Sequence, residues 1–143
     1  MATERTMNTT WHGTLMDGAG TIHEAGSGAF GTLDVSWASR AEASNGKTSP
    51  EELIAAAHSS CFAMALAHEL AQAGTPAERL DTSATVTFVP GEGITAIALS
   101  VRGSVPGIGA AAFVDAAEGA RVGCPVSKAL AAVPQITLNA ALA

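Results

Sequence analysis

The sequence predicts a single α+β domain spanning residues 1–143, and three observations carry that prediction. The chain has 143 residues and is 48% hydrophobic, enough to build one core of its own. A strong helix-opening signal precedes a long Ala-rich apolar run near the middle of the chain. Paired runs of β-branched residues flank that run without the regular strand–helix alternation of a doubly wound fold.

Taken in order, the first segment alternates from Thr10 to Leu15, turns at Asp17-Gly18-Ala19-Gly20 and resumes from Thr21 to Glu24, the pattern of a β-hairpin. A third strand is expected over about Thr32 to Ala38. Arg40 to Thr48 is polar, with Ser44-Asn45-Gly46 as a turn signal, so a surface loop beginning at Arg40 is expected. Ser49-Pro50-Glu51-Glu52 then opens a helix: Ser49 suits the N-cap, Pro50 the first turn, and Glu52 closes a capping box. This helix should run to about Ala73, where Gly74 and Pro76 stop it, and its near-uniform hydrophobicity implies burial on most sides.

Thr82 to Val89 and Ile94 to Val105 alternate Thr, Val and Ile across Pro90-Gly91-Glu92-Gly93, a second hairpin. A helix follows over about Gly109 to Ala120. Gly123-Cys124-Pro125 breaks the chain, and Pro125 opens a short helix to about Ala132. Ile136 to Leu142 makes a final strand. The predicted order is β-β-β-α-β-β-α-α-β.

Charge and composition narrow the function. Seven Lys+Arg against 13 Asp+Glu give a formal charge of -6 and no basic stretch, so nucleic acid is not an expected partner. The polar N-terminus, Met1 to Thr10, lacks the apolar run of a signal peptide, which predicts a cytoplasmic protein. The longest apolar stretch, Leu53 to Leu70, contains His58, Ser59, Ser60, His68 and Glu69, which are costly in lipid; no membrane association is expected.

Cys61 and Cys124 are the two cysteines, without a CxxC pair or metal-ligand spacing. In a reducing compartment such a pair is either inert packing or redox chemistry. Cys61, between Ser60 and Phe62 in the long helix, packs as a small hydrophobe unless its thiol pKa is lowered. Cys124 precedes Pro125 at a helix start, where amides stabilise a thiolate. His58, one turn before Cys61, is within reach as a base or is simply held in the core, and His68, two turns beyond, shares its face. Glu51 suits the positive helix N-terminus, and Arg40 and Lys47 are otherwise solvated loop charges.

The string Thr48-Ser49-Pro50-Glu51-Glu52-Leu53-Ile54-Ala55-Ala56-Ala57-His58-Ser59-Ser60-Cys61-Phe62 closely resembles the signature of the OsmC/Ohr family, the osmotically inducible and organic hydroperoxide resistance proteins. Gly123-Cys124-Pro125-Val126-Ser127-Lys128 resembles that family's second cysteine motif. The His58 variant of the first motif, the placement of Arg40 and the lack of Arg in the first hairpin turn resemble the OsmC branch. The resemblance implies an OsmC-like fold in an intertwined homodimer and a two-cysteine peroxidase. In it Cys61 attacks an organic hydroperoxide, Cys124 resolves the sulfenic acid as a disulfide, and Arg40 with Glu51 activates the thiol. It also implies a dithiol or lipoyl-type reductant and no haem, flavin or metal cofactor.

One distance constrains that assignment. Ten residues of helix separate Glu51 from Cys61 by roughly 15 Å, so either Glu51 serves the Cys61 of a second subunit or Arg40 bridges the gap. Leu53, Ile54, Phe62 and Met64 are expected to form an apolar lining for the substrate tail. The competing readings are a non-enzymatic stress-related protein that binds a hydrophobic ligand, and a thiol redox sensor; a basic DNA-binding helix is absent from the sequence.

Overall fold

A computed structural model describes all residues, Met1 to Ala143. The elements are strands β1 (Thr9–His12), β2 (Ala19–Ile22) and β3 (Leu33–Val35), helices α1 (Trp37–Ala41) and α2 (Pro50–Gln72), strands β4 (Arg79–Val89) and β5 (Gly93–Ser104), helices α3 (Ala110–Gly123) and α4 (Pro125–Ala129), and strand β6 (Gln135–Leu142). The α+β class and the element order agree with the sequence, with one short helix added. The chain divides into two compact units, residues 1–50 and 51–143.

In the first unit β1, β2 and β3 form an antiparallel meander, with Trp11 opposite Gly20 and Gly20 opposite Val35. Gly20 is required there, because a Cβ would lie 2.7 Å from the Trp11 ring and 2.8 Å from Val35. The third strand stops at Val35, three residues before the expected end. Ser36 and Ser39 close a reciprocal capping box, each accepting from the other's backbone N–H at 3.1 and 3.0 Å, and this turns the chain into α1. Arg40 therefore lies in the last turn of a helix and not at the start of a loop, a position that suits a cation near the negative helix end. The expected turn is present after it: Asn45 and Gly46 both take positive φ.

The second unit is a three-stranded sheet in the order β4-β5-β6 with α2, α3 and α4. β4 and β5 pair antiparallel, with an irregularity at Thr87/Phe88; β5 and β6 pair parallel, so a crossover must separate them, and α3 and α4 supply it. As the central strand, β5 presents Ile97, Leu99 and Val101 to the core at the two-residue period of a strand. Against them pack Phe62, Leu66 and Leu70 of α2, four residues apart, and Phe113, Ala117 and Ala120 of α3. Phe113 lies so close to β5 that a Cβ on Gly103 would come within 2.6 Å of its ring.

The expectation that α2 is buried on most sides is corrected. One stripe is buried, Glu51, His58, Phe62, Leu66 and Leu70, while Ala56, Ala57, Ala67 and Met64 are exposed, Met64 at 72%. A face of small alanines adds hydrophobicity to the sequence without requiring a partner within the chain. By length and composition α2 is the one helix apolar enough to cross a bilayer, but Phe62, Leu66 and Leu70 on it are part of the core of its unit.

Gly103→Ala should lower stability by about 1–3 kcal/mol by forcing Phe113 off its packed position. Chemical denaturation would show this as a lower midpoint at unchanged slope, and an unaltered midpoint would contradict the close packing.

Candidate active site

Helix α2 carries Cys61 because its heavy side chains fix its rotation. With Phe62, Leu66 and Leu70 in the core, Cys61 falls at the edge of the buried stripe and is partly accessible. The turn before it is tied down by Thr82 of β4, whose hydroxyl donates to the Ser59 carbonyl at 3.1 Å. Ser59 and Ser60 direct their hydroxyls back to the Ala56 carbonyl at 3.2 and 2.8 Å, so neither is free to serve the thiol. His68 is exposed and lies outside the core.

Cys124 occupies the junction between two helices. Its backbone N–H donates to the Ala120 carbonyl as the C-cap of α3, and Pro125 follows as the first residue of α4. The side chain is fully buried, at 0% exposure. The structure brings it beside Cys61: the two free thiols, 63 positions apart in sequence, lie close enough for each to shift the titration of the other.

The two sulfurs titrate in opposite directions. Burial pushes the Cys61 thiol up, the hydrogen bond to Cys124 and the charge there push it further, and the Val126 amide pulls the other way. Burial also works against an anion on Cys124. The hydrogen bond from Cys61, the amides of Ser127 and Val126 and the Ser127 hydroxyl outweigh it and hold Cys124 below the ordinary thiol value. The pair thus shares its first negative charge with Cys124 favoured, and neither pKa belongs to one residue alone.

His58 is wholly buried, and burial lowers its pKa, which keeps the ring neutral. Its Nε2 lies 2.7 Å from the Ser127 hydroxyl, and its Nδ1 has no partner. Ser127 is a site residue that sequence reasoning missed, although it stands three residues after Cys124 in the second motif. No three His, Cys, Asp or Glu side chains converge in a metal-binding group.

Glu51 is buried in the first turn of α2, where the helix dipole favours a carboxylate. The helix is continuous from Pro50 to Gln72, so Glu51 and Cys61 stay about 15 Å apart along its axis and do not meet. Arg40 belongs to the first unit. There it lines a cavity of about 380 Å³ with Trp11, Leu15, Val35 and Trp37, an apolar wall beside a guanidinium. The expected apolar lining is corrected at Phe62, a core residue with no exposed surface; Ile54 packs against the core, and both tryptophans of the chain flank Arg40.

Residues 43–139, which include both cysteines, match the family model described as OsmC-like protein. The chain belongs to the OsmC family. Peroxiredoxin OsmC of Escherichia coli (strain K12) is 41% identical over 132 residues, covering 90% of each chain, and the Shigella flexneri protein of that name matches equally. Among solved structures, an organic hydroperoxide resistance protein OsmC from Legionella pneumophila superposes with a TM-score of 0.69 at 23% identity, over 95% of this chain and 96% of that one. An OsmC-like protein from Mycoplasma pneumoniae superposes with a TM-score of 0.73 at 14% identity, over 99% of each. These two structures share the OsmC fold; the 41% identity places the chain in the OsmC branch and supports a peroxidase-type redox enzyme.

Removing Cys124 takes away two of the influences that raise the Cys61 pKa. In Cys124→Ala the pH midpoint for alkylation of Cys61 by iodoacetamide should therefore fall relative to wild type, read by peptide mass spectrometry. A midpoint that rises or stays put would mean that burial alone controls Cys61.

Proposed function

We propose that this OsmC-family chain is a thiol-dependent peroxidase that reduces organic hydroperoxides to alcohols, acting as one cytoplasmic domain of residues 1–143 in a homodimer. The observation that carries the reading is the pairing of an accessible thiol, Cys61, with a buried neighbour, Cys124. A peroxide can reach Cys61; Cys124 can reach only Cys61. Access therefore supports Cys61 as the attacking thiol and Cys124 as the resolving one even though the resting charge favours Cys124.

In the first step the Cys61 thiolate attacks the terminal peroxide oxygen. The O–O bond breaks, an S–OH group forms, and the alkoxide takes up the proton that the thiol shed. Cys124 then attacks the sulfenic sulfur, the S–O bond breaks, and water leaves as the disulfide forms. A dithiol or lipoyl-type reductant reopens the bridge by thiol–disulfide exchange.

Because burial and Cys124 both raise the Cys61 pKa, the first step needs a cation to favour its thiolate, and Arg40 is assigned that task. Glu51 acts by orienting the guanidinium; the roughly 15 Å of helix between Glu51 and Cys61 of one subunit means that any closer approach to the sulfur is made across the dimer. The aromatic cavity beside Arg40 suits an alkyl or aryl tail. The uncovered Ala and Met64 face of α2 supports a second subunit.

Stopped-flow oxidation of the reduced protein by cumene hydroperoxide tests the reaction. Wild type should consume it far faster than it consumes hydrogen peroxide. Cys61→Ser should abolish consumption, and Cys124→Ser should complete one oxidation without an internal disulfide. Wild type reacting no faster than free cysteine would sink the catalytic reading and leave a hydrophobic-ligand-binding protein. For the assembly, Met64→Glu should shift the sedimentation-equilibrium mass from dimer to monomer; an unchanged mass would remove this face of α2 from the interface.

A further inference from the structure

The reaction above makes no use of His58, yet this residue is completely buried one turn before Cys61 and bridges α2 to α4 through Ser127, 69 positions away. Its neutral ring carries one proton, and the surroundings of the two nitrogens decide where. A buried N–H without an acceptor costs more than an unfilled lone pair, and Nδ1 is the nitrogen without a partner. The hydrogen therefore sits on Nε2 and is donated to the Ser127 oxygen at 2.7 Å. That leaves the hydroxyl hydrogen of Ser127 free to turn to the next acceptor. Cys124 is the N-cap of α4 and Ser127 its third residue, the position whose side chain reaches back toward the cap, so the acceptor beside it is the sulfur of Cys124.

We propose that His58 is a positioning residue that orients the Ser127 hydroxyl onto Cys124, and so sets how readily Cys124 closes the disulfide with Cys61. The closing step needs the Cys124 thiolate. Its electron pair forms the S–S bond while the S–O bond of the Cys61 sulfenic acid breaks, and the departing hydroxide leaves as water with the proton that Cys124 released. Each element of the device is neutral: imidazole N–H to hydroxyl oxygen, hydroxyl hydrogen to sulfur, with the Ser127 and Val126 amides completing the shell. The arrangement stabilises an anion without placing a cation where a peroxide could be attacked at the wrong sulfur.

Two measurements test this, and the second alone rests on the peroxidase reading. In the Cys61→Ser protein Cys124 is the sole thiol, and its thiolate is read directly by ultraviolet absorbance during a pH titration. Adding Ser127→Ala or His58→Leu should cut the thiolate fraction at neutral pH by about tenfold, the worth of one hydrogen bond to an anion. His58→Gln, which keeps an N–H donor, should restore most of it; a residue needed only for packing would alter thermal stability without moving the titration. An unchanged titration in both Ser127→Ala and His58→Leu would overturn the proposal, whatever the protein does with peroxides. In the full chain the same two variants should slow disulfide closure by about three- to tenfold, the lost thiolate being partly offset by its greater nucleophilicity. Closure at the wild-type rate in both would likewise overturn it.

Discussion

The seating of α2 on the central strand β5 is the constraint on which the thiol chemistry depends. Phe62, Leu66 and Leu70 interlock with Ile97, Leu99 and Val101, and a helix held at three points one turn apart cannot rotate. Cys61 and His58 precede Phe62 by one and four residues, so the core that fixes Phe62 also fixes both of them. On the other side, Phe113, Ala117 and Ala120 seat α3 in the same core and deliver Cys124 at its end. Two residues distant in sequence meet because both are bolted to one strand.

The resulting thiol pair divides its labour by burial and by dipoles. Cys61 has access and lacks charge stabilisation, whereas Cys124 has charge stabilisation and lacks access. Neither sulfur alone combines reach with nucleophilicity. In the proposed reaction, a first step at Cys61 that depends on an outside cation and a second at Cys124 that is prepared in advance follow from that division.

Much of this was legible in the sequence where the signals are local. Pro50, Glu51 and Glu52 marked the start of α2 at the observed residue, and Gly123-Cys124-Pro125 marked the break between α3 and α4, because caps and prolines act within a turn. The capping box at Ser36 and Ser39 was equally local but uses serine where the usual pattern has Glu or Gln, so α1 and the helical setting of Arg40 went unread. Non-local facts were out of reach. The parallel pairing of β6 with β5, the neutral tautomer of His58 and its partner Ser127 depend on which segments meet, which periodicity does not encode. The placement of Phe62 in the core is likewise not legible, because an aromatic beside a cysteine looks the same in sequence whether it faces substrate or core.

The stabilisation of Cys124 has a consequence for the conditions under which the protein works. The groups that favour charge on that sulfur lie around it within a closed interior, and dissolved ions cannot enter to weaken them. An anion paired with a solvated lysine or arginine at the surface loses much of its partner's influence as salt accumulates. One cradled by amide and hydroxyl hydrogens keeps its poise in dilute and concentrated salt alike, so the closing half of the proposed thiol cycle is insulated from ionic strength by the architecture of a helix junction.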